Sequence, residues 1–362
     1  NNDLLSLTGD NTVAKIKETV IGQPIEGHDL SLTLDHKLQK KAEQLLRGKT
    51  GSIVAMNPKT GEVLAMVSKP DYNPNNLAVE WEGLVDDERS PLLNRSLAGL
   101  YPPGSIYKLI ITASVLENPE MDTNYNCTGT ITIDGYTLTD FNKKGHGFLD
   151  LERSVILSCN TNFARMGVEL GGKNVTQMSK RFMMGKTPGG DMPIVESRYP
   201  YGENMKPTDL ATVSIGQGRL LVTPIHMAAV ASTFANKGTM MAPYIVEKVK
   251  NAEGMVVMMA ENRGTQVISD DIADEITDMM VAVVREGTGR NARIYGVNVA
   301  GKTGTAQNET GIDHSWFVGF APAENPKIAV AVILESEGKT GGEAAAPIAR
   351  EVLVEGLKGV DR

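Results

Sequence analysis

The chain has 362 residues, of which 41% are hydrophobic and 22% charged, and its net charge is −8. That length supports a large buried core, and the composition is that of an ordinary globular protein rather than a disordered or fibrous one. The acidic balance argues against a nucleic-acid partner, because no basic surplus neutralises phosphates, and no apolar run approaches the ~20 residues of a transmembrane helix.

In chain order, residues 1–29 are polar and weakly periodic, and read as a linker or the remnant of a pedestal. Ser31–Leu34 is a short strand, and Asp35 caps a helix to about Leu46, with Gly48 past its end. Ser52–Asn57 and Glu62–Ser68 form a hairpin around Pro58-Lys59-Thr60-Gly61. Residues 69–100 read as a long connection. Tyr101-Pro102-Pro103-Gly104 breaks the chain, and Ser105–Leu116 follows at helical spacing. Residues 117–148 form a loop-rich excursion. Asp150–Leu157 and Asn162–Leu170 read as helices around Ser158-Cys159-Asn160, the second ended by Gly171-Gly172.

Pro224 opens a helix over 224–236, Pro243–Met259 reads as strands, and Ser269–Glu286 as a helix. Val297–Gln307, Ser315–Ala321 and Ile328–Leu334 are three further strands before a closing helix, Ala346–Leu357. Ile328–Leu334 is apolar at every position, so both its faces should be covered. A hairpin near the start and a meander near the end suggest one antiparallel sheet with helices on both faces.

The two cysteines, Cys127 and Cys159, exclude a disulfide framework and leave at most one bridge. Cys159 reads as a buried small residue. The five histidines form no short-spaced ligand pattern, so no metal and no cofactor is expected. The chain opens on Asn1-Asn2-Asp3 with no visible signal peptide, which reads as a processed or cut terminus.

Three motifs carry chemistry. In Ser105-Ile106-Tyr107-Lys108, a serine needs a base to become a nucleophile, and residues three apart share a helix face. The Pro-Pro-Gly break places Ser105 in a first helical turn, where exposed N–H groups favour developing negative charge. Lys108 serves as base only when neutral, through burial or a neighbouring cation. In Ser158-Cys159-Asn160, a tight turn can aim Ser158 and Asn160 into a cleft, as proton relay and as amide anchor. In Lys302-Thr303-Gly304-Thr305, a cation and two hydroxyls suit a carboxylate, and Gly304 allows a close backbone approach. Each motif alone reads as readily as a capping serine, a polar turn or a strand end. Lys339-Thr340-Gly341 repeats the third motif, but it reads as a loop before the closing helix.

Together the order S-x-x-K, S-x-N, K-T-G-T is that of penicillin-binding proteins and class A β-lactamases. The chain resembles the transpeptidase domain of a class B penicillin-binding protein from about Gly27 to Gly356, in particular the small members with a short amino-terminal pedestal. Further carriers are Gly51–Pro74, Asn94-Arg95, Gly145-His146-Gly147, Ser214-Ile215-Gly216-Gln217-Gly218, Val222-Thr223-Pro224 and Gly319-Phe320-Ala321-Pro322. Ile106 and Tyr107 depart from the threonine and phenylalanine often found inside the first motif, which leaves Ser105 and Lys108 in place.

The resemblance implies an α/β fold, a five-stranded antiparallel sheet sandwiched by helices, with an all-helical subdomain carrying Ser158 and Asn160. It implies a catalytic domain over residues 30–362 on the extracytoplasmic side of the cell membrane, held by an anchor not present in this chain. The implied activity is peptidoglycan D,D-transpeptidation. Ser105 would attack a stem peptide ending in D-Ala-D-Ala, with Lys108 as base and Ser158 as proton donor to the leaving amine. Asn160 would orient Lys108 and the donor amide. Lys302, Thr303 and Thr305 would hold the terminal carboxylate, and the N–H groups of Ser105 and Thr305 would form the oxyanion hole. β-Lactams would acylate Ser105, and a membrane glycosyltransferase is an expected partner. The rival readings are a D,D-carboxypeptidase, a serine β-lactamase, a β-lactam sensor and a silent wall-binding module.

Overall fold

The computed structural model describes residues 27–308 and 311–359. Most of the expected linker therefore lies outside the described residues, as does part of the turn after Gln307. The expected boundary at residue 30 falls inside a strand, Asp29–Leu32, which pairs with Val246–Lys250.

The central sheet has five strands, all antiparallel: β1 (Gly51–Met56), β2 (Val63–Lys69), β3 (Ala300–Ala306), β4 (His314–Ala321) and β5 (Ile328–Leu334). Their spatial order is β3-β4-β5-β1-β2. The amino-terminal hairpin thus closes onto the carboxy-terminal meander through β5 and β1, and β3 is left at an edge. Alternation of side chains splits β5 between two cores. Ile328, Val330, Val332 and Leu334 pack with Leu38, Val352 and Leu353, from helices α1 (His36–Leu45) and α7 (Ala345–Gly359). Ala329, Ala331 and Ile333 face the opposite core. That core is shared with α2 (Lys108–Leu116), α4 (Asn160–Arg181), α5 (Pro224–Ala235) and α6 (Asp270–Arg285). Every residue of β5 is fully buried, as its unbroken apolar sequence requires.

Helix signals held at several ends. Asp35 accepts from the N–H groups of Lys37 and Leu38, Thr223 caps α5 ahead of Pro224, and Ser269 caps α6. Three expectations need correction. Gly171 does not end its helix: with φ 73° it makes a kink, and α4 resumes as far as Arg181. A side chain at Gly172 would reach 2.0 Å from the Glu203 carbonyl, so this glycine serves close packing rather than termination. The connection over 69–100 contains a helix, Leu77–Asp86, and a short helical turn, Arg95–Ala98. The segment from Ser105 is a 3-10 turn, Gly104–Tyr107, which feeds α2 from Lys108. The 117–148 excursion folds as two small pairings, Tyr125–Cys127 with Gly147–Leu149 and Thr130–Ile133 with Tyr136–Thr139. Among the described residues no helix is long and apolar enough to cross a membrane.

Candidate active site

The Ser105 turn is wedged between the sheet edge and the helical lobe. Gly104 has φ 55°, and a side chain there would lie 2.6 Å from the Thr305 carbonyl. Its N–H donates to the Gly216 carbonyl at 2.9 Å, and Trp316 Nε1 donates to the Pro102 carbonyl at 3.0 Å. The Pro-Pro-Gly break is thus clamped from both sides, and Ser105 is left half-buried.

Lys108, one turn on, is fully buried. Its ammonium donates to the Ser158 carbonyl at 2.7 Å, to Asn160 Oδ1 at 2.7 Å and to Ser158 Oγ at 3.3 Å. It also lies 5.3 Å from the centre of the Phe163 ring. Ser158 sits between α3 (Leu151–Leu157) and α4 in the left-handed region, at φ 57° and ψ 42°. A non-glycine residue held there costs of order 1–3 kcal/mol. The turn that pays this aims both its carbonyl and its hydroxyl at Lys108. Asp140 secures the next residues: its Oδ2 accepts from the N–H groups of Asn160 at 2.8 Å and Thr161 at 3.4 Å.

Lys302, on β3, reaches the same turn from the opposite wall. It is fully buried and donates to Ser158 Oγ at 2.8 Å and to the Thr303 carbonyl at 3.2 Å. One hydroxyl therefore bridges two lysines. Burial pulls Lys108 down to about 8, against the opposing field of Asp140 and Cys159. Burial pulls Lys302 well below the ordinary lysine value, and the charge of Lys108 adds to that fall. The repulsion between the two lysines is mutual and disfavours a charge on both at once.

Of the sequence-predicted residues, Lys108, Ser158, Asn160 and Lys302 meet at this turn, and Ser105 stands one helical turn before Lys108; two adjustments follow. The space beside Gly304 is filled by this chain: a side chain would lie 2.9 Å from the Pro103 carbonyl and 3.0 Å from the Trp316 Cβ. Gly304 admits the Ser105 turn to the strand rather than a substrate. The second K-T-G sequence is a loop, and its Gly341 N–H lies 3.4 Å from Thr305 Oγ1, supporting the strand. Sequence reasoning missed Asp140 and Thr288. Thr288 places its hydroxyl 2.6 Å from that of Thr303, and only its pairing across the fold marks it. One group of metal-ligand side chains also adjoins the turn: Cys127, Asp140, His146 and Cys159.

A sheet flanked by helices, with a serine turn and two buried lysines in the cleft, defines the class of penicillin-recognising folds. Comparison with known proteins makes the assignment specific. The chain belongs to the family described as penicillin binding protein transpeptidase domain, which matches residues 51–354. It is 35% identical over 360 residues to peptidoglycan D,D-transpeptidase MrdA of Acinetobacter baumannii, covering 89% of this chain and 53% of that protein. It is 33% identical over 372 residues to peptidoglycan D,D-transpeptidase PbpA of Mycolicibacterium smegmatis, covering 95% and 75%. The chain thus spans about half of the first relative's length. Among solved structures, the D,D-transpeptidase domain of an Eggerthella lenta peptidoglycan glycosyltransferase superposes with TM-score 0.87 at 35% identity, covering 95% of this chain and 87% of that one. The ceftriaxone acyl-enzyme of penicillin-binding protein A from Mycobacterium tuberculosis superposes with TM-score 0.85 at 30% identity, covering 96% and 84%.

Proposed function

We propose that the chain is the catalytic domain of a peptidoglycan D,D-transpeptidase with Ser105 as nucleophile. The observation that carries this is the Ser158 hydroxyl held between Lys108 and Lys302, at 3.3 and 2.8 Å. A donor stem peptide ending in D-Ala-D-Ala lies along the open edge of β3. Its terminal carboxylate meets Lys302, Thr303 and Thr305. That negative charge favours the protonated form of Lys302. A proton passed from Lys108 through Ser158 to Lys302 leaves Lys108 neutral, in the form a base requires.

Ser105 Oγ then bonds to the penultimate D-Ala carbonyl carbon and gives its proton to Lys108. The oxyanion faces the N–H groups of Ser105 and Thr305, each such donor contributing about 2.7–4 kcal/mol. The amide C–N bond breaks, and Ser158 hands a proton to the departing D-Ala amine. An amine on a neighbouring stem attacks the ester, forms the cross-link and restores the Ser105 hydroxyl. Asn160 holds Lys108 in place at 2.7 Å throughout. In the free enzyme Lys108 is turned to Ser158 and Asn160; catalytic contacts of this kind tighten when substrate arrives.

In this reading the domain stands on the extracytoplasmic side of a membrane anchor. The penicillin-binding protein PBP2 of Helicobacter pylori, 26% identical, is solved in complex with MreC. A partner of that kind and a membrane glycosyltransferase are the protein partners this reading expects.

The test is incubation with a labelled penicillin, followed by mass spectrometry. A persistent adduct on Ser105 supports the proposal. Rapid turnover points to a β-lactamase, and no adduct overturns the nucleophile. Supplying two stem peptides then separates cross-linking from release of D-Ala to water, which is carboxypeptidase action.

A further inference from the structure

The chain holds seven phenylalanines. Phe163, Phe182, Phe234, Phe317 and Phe320 are buried, whereas Phe141 and Phe148 are 79% and 73% exposed. Single exposed apolar residues are ordinary on a protein surface. These two are set apart by their place, since both stand on the small-stranded excursion beside the turn that holds Lys108. The excursion is firmly seated, so its rings are not exposed for want of a core: Leu138 packs with Ala164 and Ala211, and Leu149 with Cys127 and Cys159. Phe148 alternates with buried Leu149 along its strand and so points to the opposite, solvent side. Phe141 directly follows Asp140, whose Oδ2 accepts from the Asn160 N–H at 2.8 Å. Lys143 and Lys144 stand in the same loop, both exposed, in a chain of net charge −8.

The second half of the acyl transfer says what passes here. The acceptor amine bonds to the acyl carbon, the bond to Ser105 Oγ breaks, and the proton lost by the amine ends on Ser105 Oγ. The acceptor nitrogen thus takes the place that the D-Ala nitrogen left, next to Ser158 Oγ. The donor already lies along β3, so the bulk of the acceptor must extend over the facing wall. That wall is the Ser158–Asn160 turn, and the excursion is bonded to it through Asp140.

We propose that Phe141, Phe148, Lys143 and Lys144 form the surface on which the acceptor strand of peptidoglycan docks. A pyranose ring offers a face of C–H groups to the negative face of an aromatic ring. An aromatic side chain turns about only two torsions, so holding it against a sugar costs little entropy. The lysines answer the carboxylates of the stem peptides with charge-assisted hydrogen bonds. A stable protein partner needs a broader apolar patch than two rings supply, whereas a thin glycan strand does not. The surface deepens the transpeptidase reading and rests on it for the identity of the ligand.

The test uses the full chain and short, uncross-linked peptidoglycan strands that carry stem peptides. Their affinity for a Phe141→Ala, Phe148→Ala double variant, measured by calorimetry, should fall about tenfold, and KM for the strand as acceptor should rise as much. Penicillin acylation and KM for free D-alanine as acceptor should hold, because neither ligand reaches the excursion. Lys143→Gln with Lys144→Gln should weaken strand binding several-fold at low salt and little at high salt. Trp81→Ala is the control: its ring is 52% exposed, on the helix that follows the opposite sheet edge, and its loss should leave strand binding as it is. A fall in penicillin acylation as large as the fall in strand affinity overturns the proposal, since the rings would then act through the catalytic turn. A Ser105 adduct with strand binding indifferent to both rings removes this surface, gives the rings to another partner and leaves the transferase reading standing. Ring-dependent strand binding without an adduct does the reverse.

Discussion

The wall carrying Lys302 is a seven-residue strand paired along its length with β4, from Ala300 opposite Phe320 to Ala306 opposite His314. The facing wall, carrying Ser158, is a single left-handed turn between two helices. A register error in the strand would move every side chain to the other face, so the ladder and the core on both faces fix Lys302 many times over. The turn depends on a few polar contacts, chiefly those of Asp140. The cleft therefore pairs a backbone-determined half with a side-chain-determined half, and damage should spread differently from each.

The largest expected effect is at the lysine that joins them. Lys108→Met should slow penicillin acylation by about 10²–10⁴, the usual share of a general base. Thermal unfolding should show a loss of about 1–3 kcal/mol as well, because the Ser158 carbonyl and Asn160 Oδ1 lose their buried donor. Asp140→Asn comes next. Losing a charged acceptor for two backbone N–H groups should cost roughly 1.5–3 kcal/mol, lowering the melting temperature and the acylation rate together. A variant that lost neither would refute the dependence of the turn on this one side chain.

Gly304→Ala probes the strand half. The added methyl meets the Pro103 carbonyl at 2.9 Å, and the strand is held too firmly to yield. The Ser105 turn must shift instead, so acylation should fall by about tenfold or more, since misplacement of ~1 Å can cost 10², while the melting temperature changes little. A large stability loss with intact acylation would reverse the comparison. The pH profile follows from Lys108. It is protonated and inert as a base below its value of about 8, so the acylation rate of the free enzyme should rise with pH through that point; a rate flat from pH 6 to about 9 would assign the base elsewhere. The smallest effect is Thr288→Val. It removes a hydroxyl partner of Thr303, worth about 0.5–1.5 kcal/mol, and should raise KM for the donor several-fold with kcat held, with recovery in Thr288→Ser.

Legibility in the sequence divides along the same line. The apolar run Ile328–Leu334 announced a strand covered on both faces, and it lies in the middle of the sheet. Pro102-Pro103-Gly104 announced the sharp entry to Ser105, and Asp35, Thr223 and Ser269 are local caps. These features act through neighbours a few residues away, so periodicity and composition carry them. The Leu77–Asp86 helix escaped because Pro, Asn and acidic residues around it mimic a loop, and none of its own residues is buried. Gly171 looked like a stop because a positive φ usually ends a helix, yet packing carries α4 across it. Asp140 and Thr288 escaped because their partners stand 20 and 15 positions away, and no local pattern encodes such contacts.

The position of β3 at the sheet edge has a consequence for selectivity. An edge strand offers a guest its amides and carbonyls, which are the same whatever residues the guest carries. On the proposed reading, discrimination then falls on what stands at the two ends of the track: the buried Lys302, which answers to a free carboxylate, and the Ser105 turn. Such a cleft measures how far a reactive carbonyl lies from a chain end. Any rigid small molecule that reproduces that one interval, with a strained amide in place of a peptide, would be accepted in its stead.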